Sequence, residues 1–488
     1  MQALSNLDAS FLHLESASTP MHVGGVLQFD QPAAGPMSFA RLHRHVSDRL
    51  QTARVFRQRV YMPPAWLDRP VWVEDPDFCL DHHLRRHTLA GPLTQPVLEQ
   101  LAGKFFSTPL RRDQPLWEIL YVESARPADG FALLIKVHHA ALDGVSAEAV
   151  IIGLLDFSPE PRQLPPDTWQ PEHLPRLPGL LRQRFSALRH APEQARELLA
   201  ATADLSWLLV RRTLSLRDLG LPHYFMAPAT PFNCPVGADR LFHSTRLSLG
   251  MVKSIKNCWP GLTVNDVVLA ICAGACRRYL LDSGDLPADS LVAMAPVSRR
   301  RRDGDGKVLA GNKVMAMLIR LGTDIADPVE RLRQIHQYAL RAKDYSSEVT
   351  VDALYDQLPV AAPALALEAY SRLHLGRHAP PIFNTVITNV PGSPLPLYLD
   401  GAPLRQLSGM VCLYDGVALN FVVMSYLDQL SIGITSTRES LRKPDFLLLC
   451  LEEAALELAN ALLPERRQQA SGTGAHPAPA PAAYPPPS

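Results

Sequence analysis

The chain has 488 residues, of which 47% are hydrophobic and 20% are charged. Basic and acidic residues both number 48, so the formal net charge is zero. This composition is typical of a globular protein with a large core, and the balanced charge gives no support to a nucleic-acid-binding function. The length predicts two or three domains.

The cysteine pattern and the lengths of the apolar runs indicate in which cellular compartment the protein is found. The seven cysteines are odd in number and contain no CxxC pair, which predicts a reducing environment without a disulfide framework or a zinc site. The first ten residues lack the regions of a signal peptide. No uncharged apolar run reaches the roughly 18 residues of a membrane-spanning helix. We therefore expect a cytoplasmic protein, and any contact with a membrane must be peripheral.

The first part of the chain alternates short apolar strands with helical segments. VGGVLQFD at Val23–Asp30 predicts a strand, and FARLHRHVSDRLQTA at Phe39–Ala53 has apolar residues at helical spacing. FALLIKV at Phe131–Val137 is apolar at nearly every position, which is typical of a strand buried on both faces. AEAVIIGLLDF at Ala147–Phe157 predicts a further helix.

The composition changes after this helix. Residues 158–178 are dense in proline and cannot continue a helix or a central strand. An arginine-rich helical region is predicted from there to about residue 220. The alternation then resumes, with strands predicted at 241–249, 315–321, 383–390 and 418–434 and helices predicted at 264–281 and 440–463.

The pattern therefore predicts an α/β protein with two halves. Residues 1–157 form the first half, residues 158–220 the interdomain connection, and residues 221–465 the second half. The tail, residues 466–488, is rich in proline and alanine, which predicts an extended, disordered appendage.

The segment KVHHAALDGVSAEA, at Lys136–Ala149, follows the buried strand and carries the strongest candidate chemistry. His139 stands where a strand end can present its ring at a domain interface. An imidazole of ordinary pKa, about 6.5, is largely neutral at cytosolic pH and can accept a proton. Asp143 could orient the imidazole or fix the loop, and Gly144 permits a turn closed to other residues. The alternative is structural: the histidines only end the strand, and Asp143 only caps the next helix.

A second histidine pair offers an internal comparison. DHHLRRH contains His82, His83 and His87, but arginines rather than Asp-Gly follow the pair. We expect this segment to be a solvated basic turn without a functional role.

HHxxxDG at His138–Gly144 is the signature of the CoA-dependent acyltransferase superfamily. Six further segments resemble the bacterial wax ester synthase/acyl-CoA:diacylglycerol acyltransferase family in order and spacing, so the resemblance covers nearly all of residues 4–460. These segments are Leu4–Gly25, Pro115–Glu118, Thr263–Ala275, Gly311–Val314, Thr323–His336 and Phe383–Gly401.

The resemblance implies a fold and a reaction. The implied fold is α/β, with two chloramphenicol-acetyltransferase-like subdomains, each a mixed β-sheet flanked by helices, and an active-site channel between them. The implied reaction moves a fatty acyl group from acyl-CoA, a co-substrate, to the hydroxyl of diacylglycerol or of a long-chain fatty alcohol, without an acyl-enzyme. No permanently bound cofactor and no metal are implied. The lipid acceptor implies peripheral association with the inner face of the membrane or with lipid inclusions. Diacylglycerol is our first choice because it is common among such family members, and the oligomeric state stays open.

The resemblance also implies roles for individual residues. His139 would be the catalytic base, His138 its supporting neighbour, and Asp143 a structural residue of the loop. Asn265 would lie across the channel, where we expect it to stabilise the oxyanion. The other implied substrate-binding positions, which line or shape the channel, are Gly144, Pro115, Leu116, Trp117 and Asp266.

Two basic segments have alternative interpretations. Arg299 and Arg300 begin an arginine run that could bind the phosphates of CoA or form a solvated loop. Residues 180–219 interleave arginines with apolar residues, which fits a helix on an anionic membrane or a helical brace between the halves.

Two other functions are alternatives to acyl transfer. A serine hydrolase needs a G-x-S-x-G nucleophile elbow, and the nearest match, GVSAE at Gly144–Glu148, lacks the last glycine. The second alternative is a catalytically weak lipid-surface protein of the same fold. The only sequence feature against it is that every residue of the motifs is present.

Overall fold

The structure is a computed structural model that describes residues 2–62, 70–142, 151, 153–167, 169, 227–299, 313–348 and 380–463. The arginine-rich region from 180 to 219, the C-terminal tail, Asp143, Gly144 and Arg300 lie outside the described residues.

Seven α-helices have both bounds within the described part of the chain. They are α1 (Asn6–Leu14), α2 (Phe39–Arg49), α3 (Gln95–Ser107), α4 (Leu249–Lys256), α5 (Val264–Ser283), α6 (Pro328–Glu348) and α7 (Pro444–Leu462).

The first seven strands are β1 (Gln2–Ala3), β2 (His22–Phe29), β3 (Gln58–Tyr61), β4 (Val71–Glu74), β5 (Leu84–Leu89), β6 (Trp117–Ser124) and β7 (Phe131–His138). The later strands are β8 (Leu241–Ser248), β9 (Val292–Arg299), β10 (Lys313–Arg320), β11 (Thr385–Val390), β12 (Tyr398–Leu399), β13 (Ala402–Met410), β14 (Leu419–Tyr426) and β15 (Gln429–Ser436).

Two mixed sheets of six strands dominate the described residues. The order β12-β13-β2-β7-β6-β5 forms the N-terminal sheet, in which only β5 and β6 are parallel. The order β10-β9-β11-β14-β15-β8 forms the C-terminal sheet, in which β11 is parallel to β9 and to β14. The predicted fold class, two mixed sheets flanked by helices, is thereby confirmed.

Strand β7 is central to the N-terminal sheet and is buried along its whole length. Phe131, Leu133 and Ile135 point into one apolar cluster with residues of α2. Ala132 and Leu134 point to the opposite face, into a cluster with residues of α3. The near-continuous apolar run predicted this burial on both faces.

One strand from the second half of the sequence belongs to the sheet of the first half. Strand β13 belongs to the second half of the chain, yet it pairs antiparallel with β2, placing Met410 opposite Gly24. It also packs against the C-terminal sheet, where the Ser408 and Ser431 hydroxyls are 2.7 Å apart. The second half therefore contributes β12 and β13 to the sheet that carries the histidine pair. The predicted boundaries at residues 157, 220 and 465 stay predictions.

The start of the predicted connection packs on the N-terminal half. Just before it, Asp156 is buried and forms an ion pair with Arg49 of α2. Nε of Arg162, in the connection, lies 3.5 Å from the same carboxylate. Further along, the Arg57 guanidinium lies 4.7 Å from the ring centroid of Trp169, whose indole N–H donates to Glu74. This proline-rich stretch is therefore attached to the half that precedes it.

The prediction of a solvated turn at DHHLRRH was wrong in two respects: His83 and Leu84 are buried, and strand β5 begins at Leu84. His83 is 1% exposed, its ring stacks on Trp117 with centroids 4.5 Å apart, and its Nδ1 lies 2.8 Å from the Trp117 carbonyl oxygen. Burial, the largest cause, lowers the pKa of His83. Strand β5 follows immediately, and its Arg85, Arg86 and His87 are exposed, as expected.

Candidate active site

The histidine pair stands at the C-terminal end of β7, and backbone hydrogen bonds fix both residues. The N–H of His138 donates to the carbonyl of Leu116 at 2.9 Å, and the N–H of His139 donates to the carbonyl of Met21 at 2.8 Å. The chain then enters a 3₁₀ turn, His139–Leu142. The two imidazoles therefore project from a strand end held on both sides.

His139 has a ring that is partly accessible and otherwise packed. The residue is half-buried, and its ring stacks on Phe11 of α1 with centroids 3.8 Å apart and an interplanar angle of 18°. Within the described residues, its buried Nδ1 has no hydrogen-bond partner. Burial, followed by the neighbouring His138, lowers the pKa of His139 to about 4. The imidazole is therefore neutral at physiological pH, as a proton acceptor must be.

His138 is fully buried, and its two ring nitrogens lie near different parts of the chain. Its Nδ1 accepts the backbone N–H of Ala140 at 3.1 Å, so the proton of a neutral ring is on Nε2. Nε2 lies 3.4 Å from Oε1 of Glu15, close enough for an electrostatic contact but without hydrogen-bond geometry. His138 thus links the turn that carries His139 to a carboxylate from the N-terminal segment.

Glu15 is the charged residue at the centre of this arrangement. Its side chain is 7% exposed, Oε1 accepts the N–H of Met21 at 3.1 Å, and Oε2 accepts Nη2 and Nε of Arg112 at 2.8 and 3.0 Å. Burial alone would raise the pKa of Glu15, but His138, Arg112 and the Met21 N–H together lower it to about 2. Glu15 is therefore ionised and anchored between the histidine pair and an arginine.

A second polar group lies on the same face of β7. Lys136 is 0% exposed, and its ammonium lies 3.1 Å from Glu118 and donates to the carbonyls of Phe105 and Thr108 at the C-terminal end of α3. His22, opposite His138 across β2 and β7, has its Nε2 2.7 Å from the carbonyl of Phe106, the next residue of that helix end. These contacts tie α3 to the strand, because cations and donors stabilise a helix C-terminus.

The predicted channel-wall residues Pro115, Leu116 and Trp117 are buried in the N-terminal core. Leu116 and Trp117 are 0% and 1% exposed, and the indole of Trp117 donates to the carbonyl of Phe56 at 3.0 Å. Their contact with the site is the backbone bond from Leu116 to His138. They support the strand end, and the described side chains offer little surface to a substrate.

Asn265 and Asp266 stand in the first turn of α5 and differ in their surroundings. Asn265 is half-buried, whereas Asp266 is 1% exposed. Asp266 forms a capping box with Thr263, accepting its N–H at 2.9 Å, and also accepts from Nδ1 of His336 on α6 at 2.9 Å. This geometry favours a structural role for Asp266, with Asn265 left available at the positive end of the helix.

Arg299 is the last residue of β9, opposite Lys313 of β10, and its side chain is not among those described. The proposed CoA contacts of Arg299 and Arg300 therefore stay predictions, as do the roles of Asp143 and Gly144. Among the described residues, no group of three or more histidine, cysteine or acidic side chains is arranged to hold a metal ion. No helix in that part of the chain has the length and apolar character needed to cross a membrane.

Phe11, Glu15 and Arg112 were not singled out from the sequence. Phe11 and Glu15 are four residues apart at α1, and that spacing is the one signal that predicts a shared helix face. Nothing in the sequence indicates that this face meets the histidine pair.

Two mixed sheets joined by an exchanged strand, with a histidine pair at the end of the central strand, define the CoA-dependent acyltransferase fold. The chain belongs to the wax ester synthase/diacylglycerol acyltransferase family. The catalytic domain of that family matches residues 4–268, and its C-terminal domain matches residues 310–459.

Individual relatives agree with this assignment. A putative diacylglycerol O-acyltransferase of Mycobacterium tuberculosis is 34% identical over 444 residues, covering 89% of this chain and 86% of the relative. The O-acyltransferase WSD of Acinetobacter baylyi is 32% identical over 459 residues, covering 93% of this chain and 96% of the relative.

Solved structures agree as well. The wax ester synthase/diacylglycerol acyltransferase of Marinobacter aquaeolei matches with a TM-score of 0.66 and 28% identity, over 95% of this chain and all of the other. A trichothecene 15-O-acetyltransferase of Fusarium sporotrichioides has a TM-score of 0.60 at 12% identity, over 94% of each chain, and shares the fold alone.

Proposed function

We propose that this protein transfers a fatty acyl group from acyl-CoA to the free hydroxyl of diacylglycerol, forming triacylglycerol. The observation that carries the proposal is the half-buried, neutral imidazole of His139 at the strand end, in a chain of this family. A serine hydrolase, in contrast, would require a nucleophile elbow that the sequence lacks.

In the proposed mechanism, His139 takes the proton of the acceptor hydroxyl as its oxygen attacks the thioester carbonyl. The C–O bond forms, the carbonyl π electrons move to oxygen, and a tetrahedral oxyanion results. When the oxyanion collapses, the C–S bond breaks and CoA leaves as a thiolate, which recovers the proton from His139. A positioned general base contributes about 10²- to 10⁴-fold in rate.

Asn265 is the proposed oxyanion donor. It stands in the first turn of α5, whose N-terminus carries the positive end of the helix dipole. A donor fixed before the reaction stabilises developing negative charge without reorganisation. The capping box at Thr263 and Asp266 would hold that first turn in place.

The acceptor could also be a long-chain fatty alcohol. The similarity to the Marinobacter enzyme, which is named for both wax ester synthesis and diacylglycerol acylation, supports this second candidate. Both acceptors present a hydroxyl beside long apolar chains. The protein would meet either one at a membrane or lipid-inclusion surface, to which we propose it binds peripherally.

Palmitoyl-CoA consumption by the purified protein with diolein or hexadecanol tests the reaction. We expect release of free CoA and formation of triacylglycerol, with His139→Ala losing at least about 10²-fold in kcat. Equal rates for the wild type and His139→Ala would refute the proposed function. Liposome flotation with and without anionic lipid tests the surface association.

A further inference from the structure

The N-terminal helix α1 and the loop after it contact both histidines of the pair. Phe11 stacks on the ring of His139, and the carbonyl of Met21 accepts its backbone N–H. Glu15 lies between these two contacts and faces Nε2 of His138 at 3.4 Å. A single short stretch of chain therefore contacts both histidines, in addition to the backbone hydrogen bond that joins His138 to Leu116.

The carboxylate of Glu15 is itself fixed at three points. Arg112 donates two hydrogen bonds to Oε2, and its Nη2 also donates to the carbonyl of Leu12 in α1 at 2.7 Å. The N–H of Met21 donates to Oε1, the oxygen that faces His138. A carboxylate held in this way cannot follow a rotating imidazole, so its position constrains the ring.

The constraint reaches His139 through the backbone. Nδ1 of His138 accepts the N–H of Ala140, the residue after His139 in the 3₁₀ turn. Rotation of the His138 ring would break this bond and loosen the turn that sets the direction of the His139 side chain. A proton-transfer geometry tolerates little displacement, since the two heavy atoms must approach to about 2.6–3.2 Å.

We propose that Glu15, fixed by Arg112, is a positioning residue that acts through His138 to hold His139 in its proton-accepting orientation. This role rests on the proposed function, because it assigns Glu15 to the same proton transfer. Glu15 does not touch the substrate and donates no proton itself. In other enzymes, carboxylates similarly fix the orientation of catalytic or metal-binding histidines.

The test is a double-mutant cycle between Glu15→Gln and His138→Asn, with acyl transfer from palmitoyl-CoA as the readout. Glutamine keeps the size of Glu15 but removes its charge. Asparagine keeps an acceptor for the Ala140 N–H but removes the nitrogen that faces Glu15. We expect each single variant to lower kcat by roughly tenfold or more, with the KM for palmitoyl-CoA within about twofold of the wild type.

The double variant decides whether Glu15 acts through His138. If it does, the double variant is no slower than the slower single variant, because residues that act as a unit are non-additive. The proposal would be overturned if the fold loss in kcat of the double variant equalled the product of the two single losses. A Glu15→Gln variant with the kcat of the wild type would also overturn it.

Asp156→Asn is the matched control. Asp156 is also a buried carboxylate paired with an arginine in the N-terminal half, but it contacts Arg49 and Arg162 and not the histidine pair. We expect it to lower the thermal midpoint while kcat stays at the wild-type value. An equal loss of kcat in this control would assign the Glu15 effect to general weakening and reject the positioning role. The wild-type rate and the His139→Ala variant test the proposed function separately. A failure of the proposed function can therefore be told apart from a failure of the positioning role of Glu15.

Discussion

The ring of Phe11 lies parallel to the imidazole of His139, with centroids 3.8 Å apart and planes inclined by 18°. This contact comes from an N-terminal helix, far in sequence from the histidine. It supplies part of the apolar cover that lowers the pKa of His139 to about 4, with burial as the largest cause. The helix therefore influences both the position and the basicity of the proposed base.

Replacing Phe11 by alanine should move the acid limb of the pH profile. Removing the ring lets water reach His139, so its pKa rises from about 4 toward the ordinary value of about 6.5. The wild-type kcat/KM should be flat between about pH 5.5 and pH 8, whereas that of Phe11→Ala should fall below about pH 6.5, where His139 becomes protonated. The measurement is kcat/KM for acyl transfer against pH.

Phe78→Ala provides the control for this experiment. Phe78 also stacks on a histidine, His83, with centroids 5.3 Å apart and planes inclined by 18°. Its removal should leave the acid limb where it is in the wild type. An unchanged profile in Phe11→Ala would contradict the link between this stack and the pKa of His139.

His22 should make the fold sensitive to acid. Burial, followed by the Lys136 cation, lowers the pKa of His22 to about 3, while the unfolded chain has a value of about 6.5. The unfolded state therefore binds more protons between these values, and stability is lost as the pH falls below about 6.5. Between about pH 6.5 and pH 5, His22 should cost about 2 kcal/mol of the free energy of unfolding.

Urea unfolding at about pH 7 and pH 5 measures this loss. In His22→Gln the difference between the two pH values should shrink, because the amide does not titrate in this range. His87→Gln, at an exposed histidine of β5, should keep the wild-type difference. The same difference in all three proteins would rule out His22 as the source.

The two sheets approach so closely at β13 and β15 that only glycine fits there. A Cβ on Gly433 would lie 2.1 Å from the carbonyl oxygen of Gly409, a backbone atom that cannot move aside. We expect Gly433→Ala to lower the free energy of unfolding by about 3 kcal/mol or more. Gly237→Ala, where a Cβ would meet no atom within 4 Å, should be nearly neutral. Denaturant midpoints compare the variants, and equal midpoints would contradict the close contact.

Much of the fold could be predicted because its determinants are local. The apolar run at Phe131–Val137 predicted a strand buried on both faces, and the long apolar segment after Thr263 predicted α5. The exchanged strand β13 could not be predicted, because the hydrogen bonds that join it to β2 link residues remote in sequence. Local patterning does not specify which sheet a strand joins.

For the candidate site, as for the fold, the features that depend on local sequence could be predicted and those that depend on contacts between remote segments could not. The two histidine pairs look alike in sequence, and the position of His139 at a strand end followed from the apolar run before it. The burial of His83 against Trp117 depends on a contact between separate segments, so its local sequence suggested a solvated turn instead. The ion pair of Glu15 with Arg112 is of the same non-local kind. The sequence thus located the candidate histidine at a strand end, but it did not identify the residues that pack around it.

Asn265 and Asp266 should separate into a catalytic and a structural role. Asn265→Ala should lower kcat by about 10²- to 10³-fold and leave the thermal midpoint unchanged, since an oxyanion donor acts mainly in the transition state. Asp266→Ala should instead lower the midpoint, because it removes the acceptor of both Thr263 and His336. The loss of the hydrogen bond from the Thr263 N–H alone costs about 1 kcal/mol, while the Thr263 hydroxyl still caps the helix.

His336→Ala separates the two contacts of Asp266. It removes one hydrogen bond but leaves the capping box with Thr263 intact, so its midpoint should fall between those of the wild type and Asp266→Ala. Thermal melts and steady-state acyl transfer on the three variants provide the comparison. If Asn265→Ala had a lower thermal midpoint but the kcat of the wild type, the role of Asn265 would be to stabilise the helix end. The oxyanion would then need another donor.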